Sequence, residues 1–290
     1  MKKLITLLSI IFVISLIFCS CSLPCIYSND TEKDTRHTLT DRQKKILKQL
    51  GLPQDYEKLD EFYNEKLDEL YDNSDADINL PSISSSTIDS IEDMFKYLDR
   101  TYPKEKFEYV KYDQTTSPIP FFPAGTYEYL TVSSKYGEVE VEKYTYANPT
   151  YYSDNFKETK AGDVYATVID DYLAKKYDRN SYVVDVYVGK YYGNTFSKKD
   201  ILEKCSCNGS IDIYVNDKLG MKIFKSMSKE LFNFLKNNTK NMKIYVNMKL
   251  IDSEKFTEDA DELDDDSDNK LKKEINYSRD DYGEEKISEK

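Results

Sequence analysis

A chain of 290 residues is long enough for one large domain, or two modest ones, around a sizeable core. Its 53 Asp+Glu outweigh 41 Lys+Arg, for a net charge of −12, which excludes the basic footprint that a nucleic-acid partner requires. With a single histidine, His37, and no Gly-rich phosphate loop, GxSxG or HExxH pattern, the sequence names no catalytic, cofactor-binding or metal-ligating set.

Lys2 and Lys3 precede an apolar run from Leu4 to Phe18, broken only by Thr6, Ser9 and Ser15. A bilayer span takes about 20 apolar residues, so the run reads as the core of a signal peptide over residues 1–20. Next comes Phe18-Cys19-Ser20-Cys21, which resembles a bacterial lipobox. The residue before the acylated cysteine of a lipobox is small, and Ser20 before Cys21 fits where Phe18 before Cys19 and Pro24 before Cys25 do not. The resemblance implies that Cys19 is discarded, Cys21 is lipidated and Cys25 stays an ordinary thiol. The alternatives are a secretory peptide cleaved nearby or an uncleaved membrane helix. Each buried methylene contributes about 0.8 kcal/mol, so two or more acyl chains hold the chain stably on the outer face of the cell membrane.

Residues 21–38 are polar and without period, a flexible tether with a reach of roughly 20–25 Å. "TDRQ" at Thr40 to Gln43 has the form of a capping box, and the helix it starts is expected to stop at Gly51. From Asp55, Leu59, Phe62, Tyr63, Leu67, Leu70 and Tyr71 share one helical face. Ile88, Ile91, Phe95 and Leu98 define a third helix ending near Tyr102-Pro103. "FEYVKY" at 107–112 closes this helical segment, 39–112, with a strand.

The body, 113–251, changes period. After the proline-rich "SPIPFFPAG" come two strands joined around Lys135-Tyr136-Gly137, with Glu138, Glu140 and Glu142 alternating with Val139 and Val141. The three carboxylates read as a solvated face, with cation recruitment the sharper alternative. From residue 162, Tyr165, Val168, Ile169, Tyr172 and Leu173 repeat at helical spacing, and Tyr182, Val184, Val186 and Val188 then alternate as a strand. Asp170-Asp171 is the most tempting carboxylate pair, but neighbours on a helix point about 100° apart. A short helix over Ser197 to Lys204, the strand "SIDIYV", a serine-capped helix "SMSKELFNFLKNN" and a strand from Met242 to Leu250 follow. Cys205 and Cys207 read as ordinary thiols at a helix end. A small-loop disulfide or a partial metal site is the alternative.

Residues 252–290 hold 16 Asp+Glu against 7 Lys+Arg, a net of −9, and are expected to form a disordered acidic tail. Asp264, Asp266 and Asp268 match the first calcium-loop positions, but Asn269 and Ile275 break the pattern.

"ILKQLGLPQDYEKL" and "IEDMFKYLDRTYPKEKFEYVKY", with the later "YSDNF", are similar to a group of small lipoproteins of unknown activity in clostridia-like Gram-positive bacteria. The resemblance implies a secreted, membrane-anchored protein and supplies no active-site residue. The fold class expected is α+β: a helical opening, then amphipathic strands in a mostly antiparallel or mixed sheet with helices on one face. A non-enzymatic binding module for a cell-surface glycan or protein is the leading function, since 26 tyrosines include several on strand faces. A carboxylate-dependent cell-envelope hydrolase is the alternative.

Overall fold

The computed structural model describes residues 38–72, 84–116, 126–145, 150–206, 210–239, 243–257, 259–264, 270–279 and 285–289. The signal peptide, Cys19, Cys21, Cys25, His37, the tether up to residue 37, the proline-rich connection 117–125 and Cys207 lie outside them.

Helix α1 (Asp41–Gln49) stops where expected, because Gly51 takes the left-handed conformation (φ 71°) that only glycine adopts without cost. Leu52 N–H then reaches back to Leu47 O (2.8 Å) and Gly51 N–H to Lys48 O (3.2 Å), satisfying two carbonyls that the helix end leaves open. Helix α2 (Tyr56–Asp72) follows, then α3 (Ser85–Thr101), whose first turn is capped by the Ser84 hydroxyl accepting from Thr87 N–H. Along α3, Ile88, Ile91, Met94, Phe95 and Leu98 are buried at three- and four-residue spacing. The Gln43 amide donates to Asp89 Oδ1 (2.8 Å) and so ties α1 to α3.

Strands β1 (Glu108–Thr116), β2 (Thr126–Ser134), β3 (Gly137–Thr145) and β4 (Tyr151–Asp154) form an antiparallel sheet in that order. Val139 and Val141 are buried while Glu138 and Glu140 are exposed, as the alternation predicts. The boundary expected at residue 112 falls inside β1, which continues to Thr116 and pairs with β2 along its length. Residues 41–290 form one unit.

Helix α4 (Phe156–Leu173) starts six residues before the first apolar repeat, because Asp154 Oδ1 accepts from Phe156 N–H (3.0 Å). Then come β5 (Tyr182–Val186), β6 (Lys190–Tyr191), α5 (Lys198–Lys204), β7 (Cys205–Ser206) and β8 (Ser210–Asn216). Helix α6 (Gly220–Asn238) begins well before "SMSKEL". The serines expected to cap it therefore lie inside it, and Ser228 donates to Phe224 O (2.9 Å). Strand β9 (Ile244–Ile251), α7 (Ala260–Asp264), β10 (Leu271–Arg279) and β11 (Glu285–Glu289) complete the chain.

These strands make a second sheet in the order β11-β10-β9-β8-β5, with β8 and β9 parallel and the other pairs antiparallel. The parallel pair needs a crossover, and α6 supplies it. Tyr165 and Ile169 of α4 and Phe224, Met227 and Leu231 of α6 pack on Ile211, Ile213, Val246 and Met248. On the opposite face Tyr214, Ile251 and Leu263 form a smaller cluster beneath α7. This is an α+β fold with its main helices on one face of the mixed sheet. Among the described residues no helix is long and apolar enough to cross a membrane.

The expected disordered tail is corrected by β10 and β11. Charge averaged over 252–290 hides a short stretch in which Ile275, Tyr277 and Arg279 alternate inward and are buried against β9. The lysines at the start of β10 are matched locally, Lys272 with Asp252 (3.1 Å) and Lys273 with Glu289 (3.3 Å). Ile275, where a calcium loop needs a glutamate, is thus a core residue.

Candidate functional site

Helix α4 runs beside β5, the last strand on its side of the second sheet. Asn155, Glu158, Thr159, Gly162, Asp163 and Ala166 recur at three- and four-residue spacing, so they form one stripe of the helix, with Asn155 as its cap. That stripe, the end of β5 and the residues after it from Val184 to Gly189, and Tyr136 and Glu138 at the β2–β3 turn enclose a groove of about 400 Å³.

Local bonds fix its walls. The Asn155 side chain accepts from Glu140 N–H (2.8 Å) and the Thr159 hydroxyl donates to Glu138 O (3.2 Å), which pins the start of α4 to β3. Glu158 Oε1 accepts from Tyr191 N–H (3.2 Å). At Gly162 the helix and β5 meet so closely that a Cβ would sit 2.6 Å from Val186 O, so only glycine fits there. Tyr187, 63% exposed, stands at the rim.

The electrostatics are one-sided. Glu138, Glu158, Asp163 and Asp185 line the groove, and among the described residues no Lys or Arg does. Burial pushes the Asp163 carboxyl above its ordinary range. Burial does the same to Asp185, reinforced by the carboxylate of Asp212, its direct cross-strand partner on β8. The nearby Lys160 is committed elsewhere. It pairs with Glu105 (2.9 Å) and lies 4.6 Å from the Tyr136 ring centre.

Several carboxylates outside the groove are held in ion pairs. Asp170 binds Arg179 (2.9 Å) and accepts from the Tyr182 hydroxyl (2.9 Å), while Asp171 binds Lys198 (2.7 Å). The tempting Asp170-Asp171 pair is therefore a set of structural ion pairs. Asp212 binds Lys249 (3.1 Å) and accepts from Asn247 (2.9 Å). Burial opposes the Lys249 charge, yet Asp212 and Asp264 hold its ammonium above the usual lysine range.

Cys205 is buried, and among the described residues no three His, Cys, Asp or Glu side chains gather to hold a metal ion. Cys21 lies outside the described residues. Sequence reasoning missed Glu158, Gly162 and Asp163. The signal was present as "KAGD", a glycine inside a helical repeat, which marks a close backbone approach.

No protein-family model matches the chain, and no curated protein matches it. A solved structure of a DUF5037 family protein from Ruminococcus gnavus ATCC 29149 is similar to it at 13% identity, with a TM-score of 0.39. The likeness covers 63% of this chain and 87% of that one, and at this TM-score it assigns neither a fold family nor an activity.

Proposed function

We propose that this chain is a lipid-anchored extracytoplasmic protein that serves as a non-enzymatic binding module, holding a partner in the groove between α4 and β5. The observation that carries the reading is the open side of β5, the terminal strand of its sheet, facing a groove of about 400 Å³ with the exposed Tyr187 at its rim. Open strand edges and exposed tyrosines are the two surfaces that recognition modules use most readily. A photo-crosslinking residue in place of Tyr187, on intact cells, is expected to capture a discrete partner that a crosslinker at Glu57, on α2, does not. Equal capture from both positions would remove the groove from the reading.

The anchor rests on the Phe18-Cys19-Ser20-Cys21 pattern and has its own test. Cys21→Ala is expected to abolish incorporation of labelled fatty acid and to release the protein from the membrane fraction. Continued acylation would refute the assignment.

One observation favours a second reading, a carboxylate-dependent hydrolase of envelope polymers. Asp163 and Asp185 share the groove, and both are raised from the ordinary aspartate range, the direction in which a general acid is tuned. Release of soluble fragments from isolated envelope, lost in Asp163→Asn and in Asp185→Asn, would decide for it.

A further inference from the structure

We infer that the occupant of the groove is an extended, basic polypeptide segment that joins β5 as an additional strand. This rests on the binding reading above and names the partner's chemistry. Three independent features support it.

The first is backbone polarity. Tyr187 N–H donates to Ser210 O (3.0 Å), so in this antiparallel pair the odd-numbered residues of β5 turn their N–H and C=O groups to β8. Val184 and Val186 therefore turn theirs the other way. The Val186 carbonyl is against Gly162, which leaves Val184, in the groove wall, as the residue open to exchange two hydrogen bonds with an incoming strand. The second is place, since Val184 lines the groove of about 400 Å³ away from the contact that α4 makes at Val186.

The third is charge. Glu138, Glu158, Asp163 and Asp185 gather around one groove, and none of the four has an ion-pair partner among the described residues. An added strand places alternate side chains on opposite faces. A residue opposite Val184 projects to the helix side, towards Glu158 and Asp163, while its neighbours project to the side of Asp185. Lysine or arginine satisfies either position. The same charges turn away a second copy of this chain, whose net charge is −12.

The test uses the full-length protein in detergent and three eight-residue peptides, alternating Lys-Thr, Gln-Thr and Glu-Thr. The Lys-Thr peptide is expected to bind about tenfold or more tightly than the Gln-Thr peptide and to weaken as salt rises, as screening of exposed charge requires. Its binding is expected to slow hydrogen exchange at the Val184 amide, and Glu158→Gln with Asp163→Asn to weaken the Lys-Thr peptide alone. Equal affinity for the Lys-Thr and Gln-Thr peptides, with Val184 protected, overturns the basic preference and leaves the groove reading standing. Binding without protection at Val184 overturns strand addition. If no peptide binds, the inference falls, and crosslinking through Tyr187 judges the broader reading separately.

Discussion

The four-stranded sheet and the α4–β5 groove use the same residue types to opposite ends. In the sheet, Asp154 accepts from the Tyr97 hydroxyl (2.6 Å), the Tyr102 hydroxyl (2.8 Å) and Phe156 N–H (3.0 Å), joining α3 to the start of α4. Buried Glu128 accepts from the Tyr112 hydroxyl (2.6 Å) and meets Lys143 (3.3 Å). Burial, then Asp154, pushes the Tyr97 hydroxyl up to about 12, so it stays a donor at any physiological pH. In the groove, Tyr136 and Tyr187 stand beside Glu138, Glu158, Asp163 and Asp185, yet among the described residues no tyrosine hydroxyl donates to any of those carboxylates. A carboxylate ringed by donors holds elements together, whereas one left facing open space is presented to something else. The tyrosine richness of the chain thus serves cohesion in one region and display in the other.

The sharpest way to break this contrast is Asp154→Ala. It strands two half-buried hydroxyls and a helix-start amide, at about 1–3 kcal/mol for each unsatisfied group, so a loss on the order of 3 kcal/mol in urea unfolding is expected. Asp154→Asn keeps an acceptor and is expected to recover part of that loss. A cost near zero for Asp154→Ala would erase the distinction. Next in size is Gly162→Ala. Alanine favours a helix interior by about 1 kcal/mol, yet here its Cβ would press on Val186 O at 2.6 Å, and overpacking of this kind costs about 1–3 kcal/mol. Net destabilisation, with loss of groove binding, is expected. A stabilised variant would mean that α4 moves freely off β5.

A smaller effect separates the two kinds of carboxylate by pH. Lys198 holds Asp171, Lys176 holds Glu230 and Lys272 holds Asp217 below the ordinary carboxylate range. Their folded-state values are depressed, so their contribution is present at neutral pH and is lost as pH falls through the ordinary range to those values. Asp163 and Asp185 are raised, which gives the opposite sign: their contribution is largest in acid and is lost as pH rises through the window above the ordinary aspartate range. The melting temperature is expected to fall on acidification, because the depressed group is the larger. A cationic peptide is expected to dissociate while the pH is still above that range. Melting curves and anisotropy across pH check both.

How much of this the sequence carried depends on distance along the chain. Gly51 and the Val139–Val141 alternation act within a few residues of themselves, and each could be read directly. β10 could not, because Ile275 and Tyr277 become a strand only against β9, and the surrounding acidic residues swamp their signal. The groove lies further still from view. Glu158 and Asp163 meet β5 across a helix-to-strand packing that no spacing encodes, and only the misplaced Gly162 hinted at it. The same limit applies to Asp170-Asp171, whose fate was decided by Arg179 and Lys198 arriving from other elements.

The smallest effect is the most discriminating. Asp163→Asn removes a carboxylate that has no ion-pair partner among the described residues and that burial disfavours in its charged form. As a surface change it should alter stability by no more than about 0.5 kcal/mol, in the direction that the raised Asp163 carboxyl sets. At neutral pH the variant is expected to be slightly more stable than the parent, and the two should converge as acid protonates Asp163. The same exchange at Asp154, aspartate to asparagine, runs the other way, since that carboxylate gathers three donors and loses strength when it loses charge. Two identical substitutions with opposite signs at pH 7, measured in one urea series, are what separate a residue kept for the fold from one kept for a partner. If both destabilise, Asp163 has a donor to satisfy and the groove is part of the scaffold.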